Sequence, residues 1–205
     1  MHKEIFSSNQ LDLLPLVKQF KREFYLVGGT AIALHIGHRR SIDFDLFKKS
    51  KINPTKILSK IEPLSFPTTV TRRVYEQLNI TIHNVKFTFF EYPFDIKANL
   101  LFEDCLRLPE LIDLAAMKAY ALGRRSKWKD YVDLYFIVKD YFSIEQISSQ
   151  ANIIFDHLFS EKLFRAQLSY FADIDYSEPV EYIGEEIPED VIKQFLIDKA
   201  IDLEL

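Results

Sequence analysis

Asp43 and Asp45 stand two residues apart in the segment Ser41-Ile42-Asp43-Phe44-Asp45-Leu46-Phe47, where polar and apolar residues alternate. In an extended segment, residues two apart share a face at a rise of roughly 3.3 Å each, so the carboxylates would project together about 6.5–7 Å apart. From that spacing flexing side chains can reach one divalent cation, or share two ions about 3.5–4 Å apart. Hard oxygen donors suit Mg2+, which takes one or two protein carboxylates and completes its shell with water and substrate phosphates. The plainer alternative is a solvated edge strand carrying Ser41, Asp43 and Asp45 outward, with Ile42, Phe44 and Leu46 inward.

A second group lies just upstream. The apolar run Phe24–Val27 stops at Gly28-Gly29-Thr30, and a short helical pattern follows from Ala31 to Ile36. Thr30 is placed to cap that helix by taking an orphan backbone N–H on its hydroxyl. A strand entering a glycine turn and then a helix exposes backbone N–H groups at the positive end of a helix dipole, where phosphate binds well. Taken alone, the turn is equally an ordinary tight turn. The order strand, glycine turn, helix, loop and Asp-x-Asp strand places anion donors beside cation ligands, as a magnesium–triphosphate requires. His38 and Arg39 occupy the intervening loop, either solvated or in contact with triphosphate or base.

A third anomaly is a cation in an apolar stripe. From Glu110 to Gly123, Leu111, Leu114, Ala115, Lys118 and Leu122 fall on one helical face. A lysine facing a core must snorkel, lose its charge or meet an anion. The next helical pattern supplies Asp130 and Asp133, and Asp130 shares a face with Leu134, Ile137 and Tyr141. Two readings stand: a buried ion pair that fixes a helix crossing, or Lys118 reaching a phosphate with Asp130 or Asp133 holding it in place.

The elements that must position these groups can be read from periodicity. Leu11–Phe20 reads as an amphipathic helix, Phe24–Val27 and Ser41–Phe47 as strands, and Pro54 as the start of a short helix. Val70–Phe90 reads as two or three strands with Asn84 in a turn. Helical patterns then cover Glu110–Gly123, Lys127–Tyr141, Ile144–Phe155, Glu161–Phe171 and Pro188 to the end, with Gly123 as a helix stop. The expectation is an α/β domain over 1–105 and a helical domain over 106–205 that completes an active-site cleft. The chain has 205 residues, enough for a substantial core. With 26 Lys+Arg against 30 Asp+Glu, it lacks the bulk charge of a nucleic-acid coat protein, although Arg39-Arg40, Lys48-Lys49-Lys51, Arg72-Arg73 and Arg124-Arg125 are local basic clusters. Its one cysteine, Cys105, excludes an internal disulfide and is expected to pack as a small apolar residue. The N-terminus has no apolar signal region and no run is long enough to span a bilayer, so a soluble cytoplasmic protein is expected. His2, His35, His83 and His157 show no ligand spacing.

The blocks GGTAIALHIGHRRSIDFDLF and DLAAMKAYALGRRSKWKDYVDLYFIV together resemble the AbiEii/AbiGii nucleotidyltransferase toxin family, over Phe24 to about Val138. The resemblance implies an α+β fold, a polymerase-β-like nucleotidyltransferase core of small mixed sheet flanked by helices, followed by a C-terminal helical bundle. It implies transfer of a nucleotidyl group from an NTP, for some members to the 3′ end of tRNA. Gly28, Gly29 and Thr30 would hold phosphates, with His38, Arg39 and Ser41 in the same nucleotide-binding motif. Asp43 and Asp45 would bind Mg2+, plausibly as two ions. Lys118 would contact the triphosphate, and Asp130 or Asp133 would complete the last acidic motif. Another nucleic-acid or protein acceptor and a cognate antitoxin belong to the same expectation; a membrane does not. One position departs from the pattern: where this fold often carries a third carboxylate, Thr88 stands, and Glu91 points to the opposite face. Losing general-base help costs about 10²–10⁴-fold in rate. A nucleotide-binding sensor with little or no turnover is therefore the alternative.

Overall fold

The computed structural model describes residues 1–122 and 124–202. The chain forms two compact units, Met1–Glu110 and Leu111–Leu205. Sequence composition divides unevenly between them: the first holds 16 Lys+Arg against 12 Asp+Glu, the second 10 against 18. The overall net charge of −4 thus conceals a basic unit and an acidic one.

In the first unit, helix α1 (Ser8–Lys18) begins three residues earlier than its apolar period indicates, because Ser7 and Gln10 form a capping box. Strand β1 (Tyr25–Val27) leads directly into α2 (Gly28–Ile36). Next come β2 (Phe44–Lys48) and α3 (Pro54–Ile61), the latter capped by Asn53 with Pro54 in its first turn. Strands β3 (Thr68–Arg73), β4 (Gln77–Ile82) and β5 (Val85–Glu91) form a meander. The turn between β4 and β5 places His83 and Asn84 at φ 49° and 63°, the left-handed geometry a tight hairpin needs. These five strands make one mixed sheet in the order β1-β2-β5-β4-β3, with β2 and β5 parallel and the other neighbours antiparallel. A separate hairpin, β6 (Leu100–Phe102) and β7 (Leu106–Leu108), has strands too short to show a period in the sequence. Cys105 is half-buried in its turn.

Alternation decides which face of the sheet is covered. Register pairs Phe44 with Phe87 and Leu46 with Phe89, and Leu78 and Ile80 pair with Phe89 and Phe87 from the other side. All six are buried. Against them pack Phe20 and Phe24, both with rings at Phe89 (4.9 and 5.3 Å), and Phe6 at Phe44 (5.9 Å). Burying rings of this size dominates the core energetics of such a small unit. The opposite face carries Asp45, Thr88, Asn79 and Arg72, which register aligns in one cross-strand row.

The second unit is helical: α4 (Leu111–Leu122), α5 (Trp128–Asp140), α6 (Ile144–Phe155), α7 (Glu161–Leu168) and α8 (Glu189–Ile201). Its core is built from Leu114, Ala115, Tyr131, Leu134, Ile137, Ile147, Phe164, Leu168, Ile192 and Leu196. The helix stop expected at Gly123 and the last residues of the C-terminal pattern lie outside the described residues. Helix α7 ends at Leu168 rather than Phe171, and no helix among the described residues is long and apolar enough to cross a membrane.

His35, near the end of α2, donates from its ring to the Pro109 carbonyl (3.0 Å). Burial pushes the ring's pKa below the ordinary histidine value, and this hydrogen bond offsets only part of that shift. The fold therefore favours the neutral ring. Its contribution is complete above about pH 6.5 and is lost as pH falls through that value toward the lowered one. His35→Gln, which keeps a donor without titrating, should flatten the fall in melting temperature between about pH 7 and 5. An unchanged slope would contradict this assignment.

Candidate active site

Strand β1 runs antiparallel to β2 with Val27 opposite Asp45, so the carboxylate meets the chain where β1 ends. Gly28 turns there with φ 71°, and a Cβ at this position would collide with the Asp45 carboxylate. A Cβ at Gly29 would likewise collide with the Arg39 guanidinium and crowd the Ser41 hydroxyl. The two glycines are thus required by close approach on both sides, and the left-handed turn adds a second requirement at Gly28. Helix α2 starts in the turn itself, and its capping residue, Val27, has no side chain that can accept a hydrogen bond. The first-turn N–H groups and the dipole make this end of α2 suited to an anion.

Thr30 does something other than the capping its position indicates. It is buried within the first turn of α2, and its hydroxyl hydrogen-bonds the Ser41 hydroxyl (2.8 Å) and donates to the Asp43 carbonyl. The helix begins two residues earlier than expected, which leaves the threonine free to tie the α2–β2 connection to the glycine turn. That connection also differs from expectation. Strand β2 begins at Phe44 rather than Ser41, Ile42 is 51% exposed, and Ser41 is buried. Side-chain hydrogen bonds, not sheet alternation, determine the facing of residues 41–43. Asp43 accordingly precedes the strand, whereas Asp45 lies on it, and both are half-buried.

His38 and Arg39 are buried rather than solvated. Arg39 lies against Gly29 and donates to the Arg40 carbonyl (2.9 Å), which brings a fixed positive charge beneath the glycine turn. Neither periodicity nor motif spacing signals that burial. Thr88 pairs with Asp45 in the β2–β5 ladder, which places both side chains on the same sheet face.

In the second unit Lys118, Asp130 and Asp133 converge. The Lys118 ammonium lies 2.7 Å from Asp130 Oδ1 and 2.8 Å from Asp133 Oδ2, with all three side chains almost fully buried. Arg125 joins them, donating from Nε to Asp130 Oδ2 (3.0 Å) and from Nη2 to Oδ1 (3.4 Å). Both carboxylates hold the lysine, where the sequence left the choice between them open. Arg125 was visible only as part of a basic pair.

Among the described residues, no three His, Cys, Asp or Glu side chains group to hold a metal. A divalent ion at Asp43 and Asp45 would take at most two protein carboxylates, a donor set that fits Mg2+ completed by phosphate and water.

The chain has the nucleotidyltransferase fold: an α+β core with a five-stranded mixed sheet flanked by helices, and further helices toward the C-terminus. Among solved structures it is similar to MenT4, a nucleotidyltransferase toxin of Mycobacterium tuberculosis H37Rv (TM-score 0.60, 13% identity, 94% of this chain and 82% of that one). It also resembles a candidate nucleotidyltransferase of Helicobacter pylori (TM-score 0.57, 17% identity, covering 94% and 91%) and JHP933 of the same organism (0.56, 18%, 95% and 91%). At such identities the likeness is one of fold. No protein-family model matches the chain. An uncharacterized protein of Aquifex aeolicus (strain VF5) is 34% identical over 124 residues, or 57% of this chain, which spans 58% of that relative's length.

Two substitutions test this geometry. Gly28→Ala must strain a left-handed backbone and displace the Asp45 carboxylate, so it should cost upward of about 1 kcal/mol in denaturant unfolding. Lys118→Ala leaves two buried carboxylates short of a cation and should cost about 3–5 kcal/mol by the same measurement.

Proposed function

We propose that the protein is a magnesium-dependent nucleotidyltransferase of the AbiEii/AbiGii toxin kind, moving a nucleoside monophosphate from an NTP to an acceptor hydroxyl. The observation that carries this reading is the pairing that holds Asp45 against Gly28 at the open end of α2. A carboxylate for cations and an N-terminus for anions meet there, on a fold shared with a nucleotidyltransferase toxin. The expected acceptor is a nucleic acid, the 3′ end of tRNA first, and a toxin role implies a cognate antitoxin.

In this reading the first turn of α2 and Arg39 orient the phosphates. Asp43 and Asp45 would hold the metal, which neutralises charge on the phosphates and on the leaving group when bound. The acceptor oxygen forms a bond to the α-phosphorus as the bond to the bridging oxygen of pyrophosphate breaks, and pyrophosphate departs with that electron pair. Positioning and fixed charge supply most of the rate. With Thr88 beside Asp45, the acceptor's proton passes to Asp45 or to water.

Incubation with α-labelled and γ-labelled NTPs, Mg2+ and total RNA tests the proposal. Label from the α position should enter RNA, protein or a small acceptor, with none from the γ position. Asp45→Asn should abolish transfer and leave the thermal transition within a few degrees of wild type. Transfer of the γ label alone would make the protein a kinase. Thr88 favours a second reading, a nucleotide-binding sensor, and calorimetric NTP binding without any product would select it.

A further inference from the structure

We infer that Arg125, rather than Lys118, is the side chain of the second unit that contacts the triphosphate, and that Lys118 is a positioning residue acting through Asp130. The inference rests on the nucleotidyltransferase reading above and assigns the phosphate contact within it.

The two cations of the cluster are differently placed. The Lys118 side chain is 4% exposed, and its ammonium is committed to Asp130 and Asp133 at hydrogen-bond distance. Drawing it out to a ligand would strand two desolvated carboxylates, which is the costly way to break a buried ion pair. The Arg125 side chain is 53% exposed. Its Nε and Nη2 engage Asp130, while Nη1 has no hydrogen-bond partner among the described residues. A guanidinium has five N–H groups in one plane, so the edge turned away from Asp130 still offers donors in a fork that matches phosphate oxygens.

Charge leads to the same residue. Lys118 and Arg125 cancel Asp130 and Asp133, so the cluster attracts no anion by net charge. Its pull is local, at the guanidinium's outer edge. Lys118 neutralises the inner carboxylate oxygens and fixes Asp130, and Asp130 then fixes the plane of Arg125. The neighbouring Arg124 is otherwise engaged. Its guanidinium stacks 3.5 Å from the Tyr120 ring and donates to the Tyr120 and Leu158 carbonyls.

The segment bearing Arg125 is also held in place. The Arg125 N–H bonds the Ala121 carbonyl (3.1 Å), and beyond it Asp175 and Trp128 exchange backbone bonds with Ser126 and Asp175 (2.8 and 3.1 Å). A side chain exposed at its tip on a backbone fixed on both sides is pre-organised to receive an anion.

Calorimetry with ATP, GTP, CTP and UTP, each with Mg2+, and with the corresponding di- and monophosphates tests the assignment. Arg125→Ala should weaken the preferred triphosphate about ten- to a hundredfold, with a loss that shrinks from tri- to di- to monophosphate. Arg125→Lys keeps the charge without the fork and should recover part of the affinity. Because it preserves a cation beside Asp130, it also serves if the alanine variant lowers the melting temperature. Wild-type affinity for triphosphate in both variants, or an equal loss for mono- and triphosphate, overturns the assignment alone. Absence of binding by the wild-type protein to all four NTPs overturns the functional reading with it.

Discussion

The site in the first unit depends on a lack of room. Strand pairing sets Asp45 opposite Val27, and the next residue along β1 has to pass the carboxylate at a distance no side chain permits. Gly28 meets that condition and turns through a left-handed conformation in the same step, which starts α2 at once. Gly29 repeats the requirement against Arg39. The carboxylate, the buried guanidinium and the helix terminus are thereby brought around two residues without Cβ atoms. Displacing the turn would separate all three. Thr30 then locks the arrangement from the helix side by bonding the connection that carries Ser41 and Asp43.

The second unit solves a different problem, that of keeping two carboxylates in a low-dielectric interior. Asp130 and Asp133 are one turn apart on α5, and both are almost wholly removed from water. Two acids so placed need two cations, one of which has to come from the facing helix. Lys118 in the apolar stripe of α4 is that cation, and Arg125 is the other. A structural ion pair and a functional lysine were alternatives while only the sequence was considered. In the folded protein they are compatible, since a residue that organises a buried cluster also fixes what the cluster presents at its edge. Replacing such a network with apolar residues need not destabilise the fold, so its retention is better explained by the guanidinium it orients than by stability.

Periodicity made most of the elements legible. Helices α4, α5 and α6 and the strands of the main sheet follow the pattern closely, because each buries one face and the burial imprints the period. Failures occurred where local hydrogen bonding outweighs burial. Thr30 was read as a cap because capping is what threonine after a turn usually does, yet here the glycines already belong to the helix. Ser41 to Asp43 alternate like a strand and are not one, since Ser41 is drawn inward by Thr30 and Ile42 is left outside. The β6–β7 hairpin has three residues per strand, less than any period can reveal. Burial of Arg39 had no sequence signature at all: an arginine in a polar loop looks solvated until the glycine beneath it is seen to make room. The aspartates, the glycines and Lys118 were legible because each is out of place for its surroundings.

Thr88 bears most directly on how such a site could work. The parallel ladder places it beside Asp45, on the sheet face that also carries Asn79 and Arg72. A third acid there would add negative charge next to Asp45 and would itself need a counterion. Threonine removes both the general base and that electrostatic demand. Phosphoryl transfer asks little covalent chemistry of the protein and much positioning, so losing one proton acceptor reduces the rate without removing its main source. The remaining groups are rigidly held: Asp45 by the ladder, Arg39 by burial, and the α2 terminus by Thr30. Rate in this arrangement depends on how well the acceptor hydroxyl is placed, which makes acceptor fit more important than deprotonation. An enzyme of this kind is slow on a poorly fitting hydroxyl and selective for the one it fits, and for a toxin whose indiscriminate activity would harm its own cell that is a functional arrangement rather than a defect.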